Sequence, residues 1–177
     1  MIKKYFIPTI YIKNYRTLNL EKLREYGIKV LCIDVDNTLV PPHTANLDND
    51  AIAFIQRVKD NGLLPVIISN NTEKRVQGVA NQVNVDFYSF SCKPCKYNYI
   101  KILRDTKCTK NEVAVLGDQL VTDILGGNRM NFLTILQDPI SDIENTSGKI
   151  TRKIETKILA TLSKNESLKK GTYYDNM

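Results

Sequence analysis

The stretch Val30-Leu31-Cys32-Ile33-Asp34-Val35-Asp36-Asn37-Thr38 constrains this chain more than any other. Following Lys29, four apolar residues run without a turn former, which reads as a short strand buried on both faces of a sheet. The run stops on two acids one residue apart. Alternation along an extended chain sends Asp34 and Asp36 to the same side and Val35 to the other. In an open parallel α/β sheet the crevice beyond the carboxyl ends of the strands is where ligands bind. Paired carboxylates there repel each other unless a cation or a shared proton compensates, so the pair calls for a hard ion with oxygen ligands, Mg²⁺ first.

The rest of the chain supplies a scaffold for that strand. A length of 177 residues with 42% hydrophobic residues suits one compact domain with an ordinary core. The apolar start, Tyr5 to Ile12, is cut by Pro8 and followed by Lys13, short of a signal or membrane-span pattern, so a cytoplasmic chain is expected. Four cysteines without an export signal read as reduced thiols. Cys92-Lys93-Pro94-Cys95 has redox or zinc-site spacing, but only Cys108 and His43 could complete a zinc site, and two incidental thiols flanking a lysine is the preferred reading. The net charge of +6 is concentrated at the ends. Residues 1–26 and 149–177 each carry +4, and the middle carries −2.

Taken in order, the pattern predicts a short helix within 14–26 ending at Gly27, the Asp34 strand, a turn at Pro41-Pro42-His43-Thr44, and a helix from Asp48 to Asn61 with Ile52, Ile55 and Val58 inward. A strand at 64–68 ends on Ser69-Asn70-Asn71. A helix at 73–83 has Val76, Val79, Ala80 and Val83 as its inner stripe, and a strand at 85–90 leads to Lys93. Pro94 suits the first turn of a helix over 95–104. A strand at 113–116 closes on Gly117-Asp118, a helix over 120–128 contains Asp123, and a last strand spans 132–136. This alternation predicts a doubly wound parallel sheet with helices on both faces. Ile150, Ile154, Ile158 and Leu162, flanked by Arg152, Lys153 and Lys157, describe a basic amphipathic helix, and 166–177 reads as a loose tail.

Converging strand ends would bring Asp34, Asp36, Ser69, Asn70, Lys93, Asp118 and Asp123 around one crevice. A carboxylate nucleophile, a second carboxyl for proton transfer, and a cation with hydroxyl donors for anionic oxygens form a coherent set for phosphoryl transfer. Asp34-Val35-Asp36-Asn37-Thr38, Ser69, Lys93 and Gly117-Asp118…Asp123 resemble, in order, the signature of the haloacid dehalogenase-like superfamily. The resemblance implies Asp34 as nucleophile, Asp36 as general acid and base with its carbonyl on Mg²⁺, and Thr38 as loop support. It further implies Ser69, with Asn70 beside it, and Lys93 on the phosphoryl oxygens, and Asp34 and Asp118 on Mg²⁺. Asp123 would either reach the metal through water or orient Lys93. Taken singly, Ser69 could cap a helix, and Lys93 and Asp123 could be solvated surface groups.

The short spacings from Asp36 to Ser69 and from Ser69 to Lys93 leave no room for a cap domain. Within the superfamily, the compact chain with Ser-Asn-Asn and Lys-Pro is similar to subclass IIIA, the group of YqeG-like proteins and phosphatidylglycerophosphate phosphatases. That likeness implies hydrolysis of a phosphomonoester on a lipid head group. The expected division is 1–28 as a basic and apolar arm, 29–138 as catalytic core, and 139–177 as basic helix and tail. The arm and helix could lie on an anionic membrane surface, giving a peripheral protein at the inner face, or could simply cover the edge of the sheet. Alternatives are a soluble nucleotide or sugar phosphate, a nucleic-acid end drawn in by the basic ends, a receiver-like phosphorylation switch, and a basic RNA-binding adaptor.

Overall fold

The computed structural model describes residues 2–143, 146–164 and 167–177, with backbone alone for residues 2, 3 and 146–150. The strands are β1 (Ile10–Ile12), β2 (Val30–Ile33), β3 (Leu64–Ile68), β4 (Asp86–Tyr88), β5 (Val113–Gly117), β6 (Leu133–Gln137) and β7 (Tyr174–Asp175). The helices are α1 (Leu20–Glu25), α2 (Asn49–Asp60), α3 (Glu73–Val83), α4 (Tyr97–Thr106), α5 (Leu125–Met130) and α6 (Thr146–Lys164). All strands but the last join one parallel sheet in the order β4-β3-β2-β5-β6-β1, with β7 antiparallel on the β1 edge. β2 lies between β3 and β5, where the winding reverses direction. This is the switch point at which a crevice opens beyond the strand ends.

Alternation along β2 divides the core. Leu31 and Ile33 join Phe54, Ile55 and Val58 of α2 and Val76, Val79 and Ala80 of α3 on one face. Val30 and Cys32 join Tyr99 and Ile102 of α4 and Met130 of α5 on the other. The doubly wound architecture expected from the alternating pattern is therefore present, with no cap inserted among the described residues.

Several local expectations are corrected. The short helix expected within 14–26 is α1, and a separate 3₁₀ turn (Tyr15–Thr17) precedes it, because Asn14 and Asn19 each cap a separate start by accepting from Arg16 N and Lys22 N. Ile52 is exposed, and Ala51 and Phe54 take the inward positions of α2. Helix α4 begins at Tyr97, beyond Pro94, since Asn70 holds the main chain of Lys93 by both its N–H and its carbonyl.

The ends differ most. The N-terminal apolar segment supplies β1, a sheet strand with Ile10 and Tyr11 buried. Tyr174 and Asp175 pair with β1, and Leu168 is buried against Tyr11, Leu120, Ile124, Leu136 and Leu162. Lys22 pairs with Asp175 at 2.7 Å. Ile158 and Leu162 of α6 pack on that same cluster, Ile154 is exposed, and the Ile150 side chain lies outside the described residues. Of the two readings of the amphipathic stripes, covering the edge of the sheet is what most of their apolar groups do.

Candidate active site

Asp34 leaves the sheet beside the end of β5, its N–H still donating to Leu116 O at 3.0 Å. The chain then wraps tightly, Val35 O accepting from the N–H groups of Thr38, Leu39 and Val40. Asn37 takes the left-handed conformation this wrap needs, with φ 63°. The wrap buries Thr38 completely, with Oγ1 at 3.4 Å from Asp34 Oδ2 and 3.3 Å from Asp118 Oδ1.

Lys93 enters the crevice from the loop after β4. Its Nζ lies 2.5 Å from Asp34 Oδ1, 2.6 Å from Asp123 Oδ1 and 3.1 Å from Ile68 O, so all three of its protons have acceptors. Asp123 is carried by a π-helical turn (Leu120–Ile124), a rare device often found at functional sites. Its side chain lies directly over Gly117, where a Cβ would overlap it, so glycine at that position is a packing requirement. Of the two roles expected for Asp123, the geometry has it against Lys93.

Asp34, Asp118 and Asp123 each offer a carboxylate oxygen, all within 4.8 Å of one another. Burial raises the Asp34 carboxyl above its ordinary range, to about 7; Lys93 opposes the rise and Asp123 adds to it. Asp118 is raised as well, by burial first, with Arg152 opposing and Asp34 reinforcing. Burial works against the charged form of Lys93, but Asp123 and Asp34 overcome it, and the ammonium is held charged.

Sequence reasoning missed the residues that α6 contributes. Arg152 donates through Nη1 to Asp118 O at 2.8 Å and through Nη2 to Asp118 Oδ2. Glu155, itself buried, accepts from Arg152 at 2.9 Å and from Val121 N at 3.2 Å. The signal was present as the i, i+3 pair of opposite charges on the helix, but nothing in the spacing marked that face as the docked one. Four buried carboxylates (Asp34, Asp118, Asp123, Glu155) thus face two cations (Lys93, Arg152). The deficit of two positive charges, together with three converging oxygen donors, fits a divalent cation.

Two of the expected site residues have partners outside the acidic triad. The Asp36 side chain faces away from the acidic cluster, accepting from Asn71 Nδ2 at 2.9 Å and Arg75 Nη2 at 3.1 Å. Those two residues had no role in the sequence reading, and they hold the carboxylate apart from the Asp34, Asp118 and Asp123 group. Asn70 spends both ends of its amide on the Lys93 main chain, accepting at 2.6 Å and donating at 3.2 Å, so it clamps the lysine loop. Ser69 is buried and its Oγ accepts from Asn71 N at 3.2 Å, which leaves its own proton available to another acceptor. His43 is exposed in the Pro41–Thr44 turn, and all four cysteines are free thiols, Cys92 and Cys95 exposed. Among the described residues no cysteine or histidine joins a metal-ligating cluster.

The family model described as mitochondrial PGP phosphatase matches residues 1–141, which include every strand from β1 to β6. This chain belongs to the mitochondrial PGP phosphatase family. Proteins resembling it include "Probable phosphatase YqeG" of Bacillus subtilis (strain 168), 34% identical over 164 residues, covering 93% of this chain and 95% of that protein. The chain is 25% identical over 171 residues to phosphatidylglycerophosphate phosphatase 1, chloroplastic/mitochondrial, of Arabidopsis thaliana, covering 92% of this chain and 49% of that longer protein. The fold matches 3-deoxy-D-manno-octulosonate 8-phosphate phosphatase from Moraxella catarrhalis, solved with magnesium ion, phosphate ion and KDO (TM-score 0.54, 17% identity, 80% of this chain and 90% of that one). It also matches an uncharacterized protein from Listeria monocytogenes serotype 4b (TM-score 0.53, 21% identity, 67% of this chain and 85% of that one). As a mitochondrial PGP phosphatase family member, the chain is a phosphoric monoester hydrolase of the haloacid dehalogenase type. Its buried acidic triad fits a divalent metal ion.

Proposed function

We propose that this enzyme is a Mg²⁺-dependent phosphomonoesterase that works through a phosphorylated Asp34, with phosphatidylglycerophosphate as substrate and phosphatidylglycerol as product. The observation that carries the mechanism is the meeting of Asp34, Lys93, Asp118 and Asp123 at one switch-point crevice. The names of the matched family model and of the plant relative support the substrate.

Asp34 and Asp118, with the main-chain carbonyl of Asp36, would hold Mg²⁺, which when bound neutralises part of the charge on the phosphoryl oxygens. Lys93, giving up its contact with Asp34 Oδ1 as that carboxylate turns to phosphorus, and the Ser69 hydroxyl hold the remaining phosphoryl oxygens. An Asp34 oxygen attacks phosphorus as the ester P–O bond breaks, and the departing alkoxide takes a proton from Asp36. Water then attacks the acyl-phosphate, Asp36 removes its proton, and the P–O bond to Asp34 breaks to release phosphate and restore the carboxylate. For this work Asp36 exchanges its contacts with Asn71 and Arg75 for the leaving oxygen, a side-chain rotation about its own loop.

Peripheral contact with an anionic membrane rests on a smaller surface than the sequence suggested, namely exposed Tyr5 and the exposed Ile154 with Lys153 and Lys157 on α6. Phosphate release from phosphatidylglycerophosphate in detergent micelles, compared with glucose 6-phosphate, a nucleoside monophosphate and a 5′-phosphorylated oligonucleotide, tests the substrate. The lipid should exceed each soluble ester by about a hundredfold in kcat/KM. A soluble ester ahead by that margin would replace the lipid reading while leaving the mechanism in place.

A further inference from the structure

Cys92 and Cys95 flank the buried Lys93 and are themselves exposed, each a free thiol. The Cys95 N–H donates to Cys92 O at 2.9 Å, which closes a four-residue turn with Lys93 and Pro94 at its centre. A turn of that kind holds its first and last Cα atoms within about 7 Å, and a disulfide needs them at about 4.4–6.8 Å. The surrounding chain fixes where the turn sits. Phe90 N–H donates to Asn71 O, Ser91 N–H to Ser69 O, and Asn98 Nδ2 to Ser89 O and Ser91 Oγ, while Asn70 grips Lys93 by its N–H and its carbonyl. Cys92 lies in the left-handed region with φ 48°, a conformation that a residue with a Cβ keeps only where its surroundings impose it. Spacing alone left these two thiols incidental. The turn adds that they are held within bonding reach on either side of an active-site lysine.

We propose that Cys92 and Cys95 are a reversible redox pair whose disulfide switches off the Lys93 site. The oxidant is a small organic disulfide. The thiolate of one cysteine attacks it and expels one thiolate; the thiolate of the other cysteine then attacks the mixed disulfide at the protein sulfur and expels the second. The cysteines lose two electrons and two protons, and the oxidant leaves as two thiols. The new bond fixes the Cβ atoms at about 3.8 Å, a limit the free thiols do not impose, so closing it turns the Lys93 main chain against the Asn70 clamp. Lys93 Nζ has acceptors at 2.5, 2.6 and 3.1 Å and no spare reach to follow that movement. Misplacing such a group by about 1 Å costs about a hundredfold in rate. The loss of activity rests on the phosphatase reading above, in which Lys93 holds phosphoryl oxygens; the formation of the bond does not.

The full-length enzyme is incubated with oxidised glutathione, quenched with iodoacetamide and digested with trypsin. Both cysteines fall in the peptide 76–96, because trypsin does not cut between Lys93 and Pro94. That peptide should lose two hydrogens and take no alkyl label, and dithiothreitol should restore labelling at both thiols. Over the same time course, hydrolysis of p-nitrophenyl phosphate by the Mg²⁺-loaded enzyme should fall about a hundredfold and return with dithiothreitol. Cys92→Ser and Cys95→Ser should each keep the rate of the reduced enzyme and resist the oxidant, while Cys108→Ser should stay sensitive. In ¹H–¹⁵N spectra the Lys93 backbone amide and the Asn70 side-chain amide should shift on oxidation. Thiols at 92 and 95 that end alkylated or glutathionylated, or a crosslinked peptide with the Lys93 signal and the rate unchanged, would overturn the proposal. A reduced enzyme that hydrolyses no ester would defeat the phosphatase reading alone, and the peptide mass with the Lys93 signal would still decide the redox pair.

Discussion

Asp34 is held between opposing demands: burial and two neighbouring acids disfavour its charge, while Lys93 at 2.5 Å favours it. The net result is a carboxyl raised from the usual value near 4 to about 7. A group whose folded pKa lies above its unfolded value binds more protons in the native state between those pH values, so stability falls as pH rises through that window. Thermal melts in EDTA should therefore show Tm dropping from pH 4.5 to pH 7. Added Mg²⁺ should reverse the trend, because a cation binds more tightly as the carboxylates ionise. A flat or rising Tm in EDTA would contradict the electrostatic picture. Asp34→Asn should remove turnover altogether while raising the metal-free Tm, since the substitution deletes a nucleophile and a buried charge together. Lys93→Met, by contrast, strands Asp34 and Asp123 and should cost about 3–5 kcal/mol at neutral pH, read by urea denaturation. These acids and the lysine were legible as a motif because their backbone positions are set by strand ends. The direction of the Asp36 side chain was not, because Asn71 and Arg75 reach it from a different helix and loop.

Among the elements, α6 is where sequence and structure part most. Its apolar stripe at every fourth residue and its basic flank suit a membrane surface or a docked helix equally well, and periodicity alone cannot choose between them. The docked answer follows from Leu162 and Ile158 finding Tyr11, Leu120 and Ile124, and from Arg152 and Glu155 finding Asp118 and Val121. Removing residues 146–177 should accordingly abolish cleavage of a soluble ester and lower Tm sharply. Truncated enzyme that keeps full activity on p-nitrophenyl phosphate would show the helix to be dispensable for the site. Leu162→Ala should cost about 2–5 kcal/mol by chemical denaturation. The bounds of α3 and β3 were readable to the residue, because each is bracketed by strong punctuation: Asn61-Gly62 before β3, Ser69 to Thr72 between them, and a left-handed Asn84 after α3. β1 was not, because the three residues Ile10–Ile12 carry no period of their own and become a strand only by pairing with β6.

At the scale of the molecule, both chain ends meet on one side of the sheet, where β7 closes the edge that β1 begins. Of the basic residues at the ends, Arg152 reaches the buried site and pairs with Asp118. The claim on which the mechanism depends is that this convergence makes Asp34 a covalent carrier of the phosphoryl group. Acid quench during turnover, borohydride reduction and peptide mass spectrometry measure it directly, since hydride converts an aspartyl-phosphate to homoserine. The expected result is homoserine at position 34, with substrate and Mg²⁺ present and lost in EDTA. Steady hydrolysis with Asp34 unmodified, or with the label at another carboxylate, would contradict it.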